Sequence, residues 1–164
     1  MGQHSPEDIP AINVLEDEVI ELRLLRVLGC KDSALRSPES QFLCRSPEHR
    51  FAIHRRSDGL RVGRIHLRVT NDETIVSAVG HIGYEVNALY RRNGYAVRAI
   101  RLIIGLAHQY GIAPLWVLLE PENVASRKVV EQAGFQLVDV VNTQPKAAVL
   151  GIGSQVCRYV VEQP

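Results

Sequence analysis

The hydrophobic pattern of the 164-residue chain changes its period near Gly94, and this change limits the folds that the chain can adopt. Before Gly94, apolar and polar residues alternate through Ile65, Leu67 and Val69, as in a half-buried strand. After it, apolar residues recur at helical spacing, at Ala96, Ala99, Ile100, Ile103 and Ala107. The sequence therefore predicts strands followed by an amphipathic helix.

The same reasoning divides the rest of the chain into short elements. Strands are predicted at residues 19–25, 50–56, 62–69, 75–86, 115–119, 135–141 and 156–161. Helices are predicted at 94–110 and at 123–132, where Asn123 can cap the start and Gly134 can end the helix. Loops and one short helical piece are expected over 29–49. This order predicts an α+β fold with one βαβ-type crossover.

Composition fits a single globular domain, with 46% apolar and 23% charged residues. We expect residues 1–10 to form a flexible tail and residues 11–164 to form one domain. A net charge of +1 gives no reason to expect nucleic-acid or membrane binding, and no apolar run could span a bilayer. Cys30, Cys44 and Cys157 fit no metal-site spacing, which favours reduced thiols, a cytoplasmic location and no metal.

The turn before the long helix is a candidate phosphate site. It consists of Arg91, Arg92, Asn93, Gly94, Tyr95 and Ala96. A helix N-terminus offers backbone N–H donors and a favourable dipole to a pyrophosphate, and Gly94 permits a close backbone approach. The alternative is an ordinary turn with two exposed arginines. The turn lacks the Gly-Lys-Ser/Thr of a P-loop and the three glycines of a dinucleotide fingerprint.

Three motifs together resemble the GNAT superfamily of N-acetyltransferases. Arg-x-x-Gly-x-Ala at 91–96 is similar to its acetyl-CoA signature. Asn123-Val124-Ala125-Ser126, followed by Glu131 to Phe135, resembles its second conserved segment. Gly80-His81-Ile82-Gly83-Tyr84-Glu85-Val86 and Cys157-Arg158-Tyr159 are similar to a bacterial branch that includes ribosomal-protein N-acetyltransferases. The resemblance is good over residues 60–134 and weak before Arg50.

The resemblance implies a mixed, mostly antiparallel, twisted sheet of about six to seven strands flanked by helices. The family's fourth and fifth strands, here 75–86 and 115–119, would splay apart around acetyl-CoA. The backbone at Val86 would pair with the cosubstrate, and Asn123 and Ser126 would lie beside it. The acetyl group would pass to a small-molecule amine or a protein N-terminus by direct attack in a ternary complex. A non-catalytic acetyl-CoA sensor or interaction module is the alternative, and a homodimer is compatible with the sequence.

The chemistry needs a base, because an alkylamine is protonated near neutral pH. Glu85 is the first candidate and Glu120 the second, although both could be solvated carboxylates that bind a cationic substrate. His81 shares a strand face with Glu85 and is expected to be a packed histidine. Many relatives place a tyrosine acid at the position of Val130. Ser126 is therefore the candidate acid here, unless it only bonds to the helix start.

Overall fold

The computed structural model describes residues 12–29, 42–43 and 46–162. The predicted tail, residues 1–10, lies outside these residues, as do Cys30, Cys44 and most of the segment expected to be irregular. The described strands are β1 (Val14–Glu16), β2 (Ile20–Leu28), β3 (Glu48–Arg55), β4 (Arg61–Arg68), β5 (Ile82–Val86), β6 (Leu115–Leu119), β7 (Gln136–Asn142) and β8 (Gln155–Val161). The described α-helices are α1 (Glu73–Val79), α2 (Tyr95–Gln109), α3 (Val124–Ala133) and α4 (Pro145–Ala148).

The strands form two antiparallel sheets. One has the order β1-β2-β3-β4-β5 and the other the order β6-β8-β7. No strand ladder joins β5 to β6 in the part of the chain that the structure describes. The predicted α+β class is therefore confirmed, and the break in the sheet falls between the two strands that were expected to splay.

The prediction of one long strand over residues 75–86 was wrong in its first half. Residues 73–79 form α1, and β5 begins only at Ile82. Asp72 caps α1, because its carboxylate accepts a hydrogen bond from the Thr74 N–H at 2.9 Å. Gly80 ends the helix with a φ of +68°, which a residue with a Cβ rarely adopts. The Asp72 cap and the Gly80 stop are helix signals that outweighed the β-branched residues between them.

One cluster of buried side chains connects both sheets through α2. The helix contributes an apolar face at helical spacing, and the sheets contribute Phe51, Ile65, Val117 and Tyr159, all at most 1% exposed. Residues of α2 in this cluster include Ala99, Ile100, Ile103 and Ala107. Because α2 packs on the sheets along this face, its N-terminus is held next to the end of β5.

Candidate active site

His81 joins β5 to β6 at one end of the break between the sheets. Its N–H donates to the Trp116 carbonyl at 2.8 Å, and its Nδ1 accepts from the Trp116 N–H at 2.9 Å. On the other side its carbonyl accepts from the Arg68 N–H at 2.8 Å. Beyond His81 the two strands no longer pair. The result is a gap that is closed at His81 and open toward Val86 and Leu119.

The side chain of His81 connects β6 to the segment before α1 through two hydrogen bonds. Because Nδ1 accepts a hydrogen bond from the Trp116 N–H, the ring hydrogen lies on Nε2, which is 3.1 Å from the Thr70 carbonyl oxygen. The residue is 2% exposed, and burial lowers its pKa. Both ring nitrogens are therefore occupied, as expected for a packed histidine rather than a proton carrier.

One backbone edge of β5 faces the gap. Hydrogen bonds from Asn87 N–H to Val62 and from Arg68 N–H to His81 fix which residues of β5 bond to β4. In an antiparallel ladder the intervening residues point their N–H and C=O groups the other way. Tyr84 and Val86 are such residues, so their N–H groups point toward β6. The Val86 carbonyl accepts a hydrogen bond from Arg91 Nε at 3.0 Å.

The turn after β5 leaves the start of α2 uncapped. Arg92 and Gly94 have φ values of +63° and +74°, and Asn93 Nδ2 donates to the carbonyls of Tyr90 and Arg91 at 3.0 Å each. No side chain among the described residues caps α2. Within this part of the chain, the first N–H groups of the helix, on residues 95–97, therefore lack helical and side-chain acceptors. The Tyr95 side chain is only 7% exposed, so this residue can present its backbone and not its phenol.

Tyr84 links the gap to the start of α3. Its hydroxyl donates to the Ser126 carbonyl at 3.1 Å, while Asn123 Oδ1 accepts from the Ser126 N–H at 3.2 Å. Asn123 is thus the N-cap that the sequence predicted. Val130 is fully buried in the core, so a side chain at this position points away from solvent. From the sequence, Tyr84 is expected only as an alternative to Ser126 for the acid, and it stands one position before Glu85.

Glu85 lies on the opposite face of β5 from Tyr84 and lines a pocket of about 620 Å³. Its carboxylate is 2.6 Å from Arg64 Nη2, and the side chains of Glu85 and Arg64 are 52% and 68% exposed. The pocket is lined by Leu25, Arg26, Arg50, Phe51, Arg61, Arg64, Ile65, His66, Gly83, Tyr84 and Glu85. Its arginines could not be identified as site residues from the sequence, because the alternation of apolar and polar residues over 62–69 predicts only a half-buried strand.

Glu120 has a different environment from Glu85. One of its carboxylate oxygens accepts a hydrogen bond from the Gly153 N–H at 2.8 Å, which ties the end of β6 to the connection between β7 and β8. Among the described residues no hydrogen bond or ion pair connects Glu120 to Glu85. The two candidate bases therefore have different partners: Glu85 pairs with Arg64, and Glu120 bonds to Gly153.

The described residues contain no group of His, Cys, Asp and Glu side chains that could hold a metal ion. None of the described helices has the length and apolar character needed to cross a membrane.

An open strand gap beside an uncapped helix N-terminus is an arrangement able to bind an extended, phosphorylated ligand. The sequence agrees with this geometry, since the family model for the acetyltransferase (GNAT) domain matches residues 3–136. The chain belongs to the GNAT acetyltransferase family. No curated protein gives a match to the chain.

Solved structures share the fold at low sequence identity. A Vibrio cholerae protein provisionally described as a ribosomal-protein-serine acetyltransferase superposes with a TM-score of 0.62 and 15% identity, covering 92% of this chain and 97% of that one. A GNAT-family acetyltransferase from Bacillus anthracis gives 0.64 and 14%, with 91% and 98% covered. An aminoglycoside acetyltransferase in complex with coenzyme A gives 0.61 and 18%, with 88% and 95% covered.

Proposed function

We propose that the protein is an acetyl-CoA-dependent N-acetyltransferase that transfers the acetyl group directly to an amine in a ternary complex. The observation that carries this proposal is the gap between β5 and β6, with the unpaired backbone edge of Tyr84 and Val86 along one side. The neighbour crystallised with coenzyme A has the same fold, which supports the choice of cosubstrate.

The residues around the gap suit the parts of acetyl-CoA. The N–H groups at the start of α2 would donate hydrogen bonds to the pyrophosphate, with Arg91, Arg92 and Asn93 forming the turn beside it. The Val86 N–H would pair with the pantetheine arm, and the start of α3 at Asn123 and Ser126 would lie on the far side. When bound, acetyl-CoA supplies an activated thioester carbonyl.

Groups of the protein would then stabilise the developing negative charge and transfer the protons. An N–H donor of β5 would stabilise the negative charge that develops on the thioester oxygen. Glu85 would take the proton lost by the amine as the N–C bond forms and the C–S bond breaks. Ser126 or Tyr84 would donate a hydrogen bond to the departing sulfur, which finally takes up the proton that Glu85 releases through solvent. Glu120 is the second candidate base, although its contact with Gly153 also gives it a structural task.

A non-catalytic acetyl-CoA sensor is the second candidate, favoured by the buried Val130 at the position where relatives hold an acid. Two measurements separate the candidates. Acetyl-CoA should raise the melting temperature more than NAD does, because a ligand stabilises the state that binds it. Release of free coenzyme A thiol, followed with a panel of amines, should then show turnover. Binding without turnover on any amine would support the sensor.

Glu85→Gln tests the base. We expect the rate at saturating substrate to fall ~10²–10⁴-fold with acetyl-CoA affinity retained. Glu162→Gln is the matched control, since Glu162 is an exposed carboxylate directly after β8 and does not line the pocket. A change in the Michaelis constant alone would assign Glu85 to substrate binding.

A further inference from the structure

The pocket beside Glu85 lies on the outer face of the five-stranded sheet, opposite α2. Strand register places its side chains in two neighbouring rows. One row runs through Arg26, Arg50, His66 and Gly83 on β2 to β5. The next row ends with Arg64 beside Glu85. The pocket thus brings together residues from four strands, and at about 620 Å³ it has the size of a small-molecule site.

A β-bulge gives Arg26 its place in the first row. The register of β2 against β3 shifts between Leu24 and Arg26, so Leu24 pairs with Phe51 while Arg26 pairs with Arg50. Without the extra residue, Arg26 would point to the apolar side with Leu24. Bulges often turn a side chain toward a site. Here the bulge sets two arginines directly opposite each other.

Like charges in such a cross-strand pair are destabilising unless something offsets them. Arg50 is partly balanced, since its Nε lies 2.6 Å from the Glu48 carboxylate, which is buried. The Arg26 guanidinium forms no ion pair or hydrogen bond with any described residue. His66 adds no charge, because burial and the nearby Arg68 lower its pKa to about 3.

Positive charge is therefore concentrated at this pocket. Four arginines (Arg26, Arg50, Arg61 and Arg64) line it, and Glu85 is the single acidic residue among its described lining. The whole chain, by contrast, has a net charge of only +1. Such a pocket would repel a polyamine and attract an anion, since clefts lined by one sign of charge concentrate the opposite ion.

We infer that the acceptor is a small amine that also carries an anionic group, a carboxylate or a phosphate, which Arg26 and Arg50 bind while the amine lies at Glu85. The inference rests on the proposed N-acetyltransferase function. Arginine suits both anions, because its planar guanidinium donates two parallel hydrogen bonds. Strands are ~4.8 Å apart, so Arg50 on β3 stands ~10 Å from β5 at the backbone. The amine and the anion should therefore be separated by several bonds.

A matched series of amines tests the inference. Pentylamine, aminopentanoate, aminopentyl phosphate and diaminopentane share one chain and differ only at the far end. We expect kcat/KM for aminopentanoate or aminopentyl phosphate to exceed that for pentylamine at least tenfold, with diaminopentane the poorest. The better of the two acids identifies the anion. Equal rates across the series, or a preference for diaminopentane, would overturn the inference while leaving the transferase function intact. If the enzyme releases no coenzyme A thiol with any of these amines, the proposed N-acetyltransferase function itself is contradicted.

Arg26→Gln tests whether Arg26 binds the anionic group of the acceptor. The Arg26 side chain has no hydrogen-bond or ion-pair partner among the described residues, so the fold should persist. We expect KM for the anionic amine to rise about tenfold with kcat little changed. Arg26→Glu should reverse the order of the acidic amine and diaminopentane. Arg23→Gln is the control, because Arg23 lies on the same strand, pairs with Glu21 and does not line the pocket. If Arg26→Gln behaves like Arg23→Gln, the pocket does not bind the anion through Arg26.

Discussion

Acid should destabilise the protein well above the pH at which carboxylates titrate, and His66 should be one cause. Its ring lies over Gly83, where an added Cβ would come within 2.6 Å of His66 Nε2. That nitrogen is buried and has no hydrogen-bond partner among the described residues. Burial, followed by the charge of Arg68, lowers the pKa of His66 to about 3.

The number of protons bound in the folded and unfolded states decides whether acid raises or lowers the free energy of unfolding. In the unfolded chain a histidine has a pKa of about 6.5, so between pH 6.5 and about 3 the unfolded state binds one proton that the folded state does not. The stability that neutral His66 contributes is present above pH 6.5 and is lost as the pH falls. Each pH unit changes the free energy of unfolding by about 1.4 kcal/mol per proton, which gives about 2 kcal/mol between pH 6.5 and 5.

Urea unfolding at half-unit steps between pH 5 and 7.5 measures this effect. His49 and His81 should add to the slope, because burial lowers their pKa as well. His66→Phe should reduce the slope by about one proton, or about 1.4 kcal/mol per pH unit. His66→Gln serves as a second variant that cannot titrate in this range. If the slope is the same in the parent and both variants, His66 is protonated in the folded state and the reasoning is wrong.

Three further variants test the site. Gly94 has a φ of +74°, and a Cβ added there would have no atom within 4 Å, so Gly94→Val should lower the free energy of unfolding by only ~1–2 kcal/mol. The same variant should weaken acetyl-CoA binding at least tenfold. If calorimetry shows an undiminished affinity, this turn is not the phosphate site. Ser126→Ala should slow turnover several-fold without changing acetyl-CoA affinity, and a parental steady-state rate would leave Ser126 as a helix-start residue. His81→Phe should lower the free energy of unfolding by ~2–4 kcal/mol, because it leaves the Trp116 N–H and the Thr70 carbonyl unpaired. Unchanged urea stability would contradict the role of His81 as a tie.

Elements with strong periodicity could be predicted from the sequence almost to the residue. The predicted strand at 115–119 and the helix expected at 94–110 correspond closely to β6 and to α2. Local signals also predicted the Asn123 cap, since a cap depends on residues within one helical turn. The α1 helix was missed because its seven residues contain Ile75, Val76 and Val79, which favour strands when the Asp72 cap is overlooked.

The acceptor pocket could not be predicted in this way. Arg26, Arg50 and Arg64 come from three strands, and nothing in their sequence spacing shows that they share one sheet face. Cross-strand register and the bulge before Arg26 decide it. Likewise, the sequence around His81 does not show that its ring bonds to β6, because the Trp116 N–H that it binds lies far away in the chain. The sequence by itself determined the elements and the family, because propensity and motifs act over a few residues. Tertiary structure decided which side chains meet, because pairing joins residues far apart in the chain.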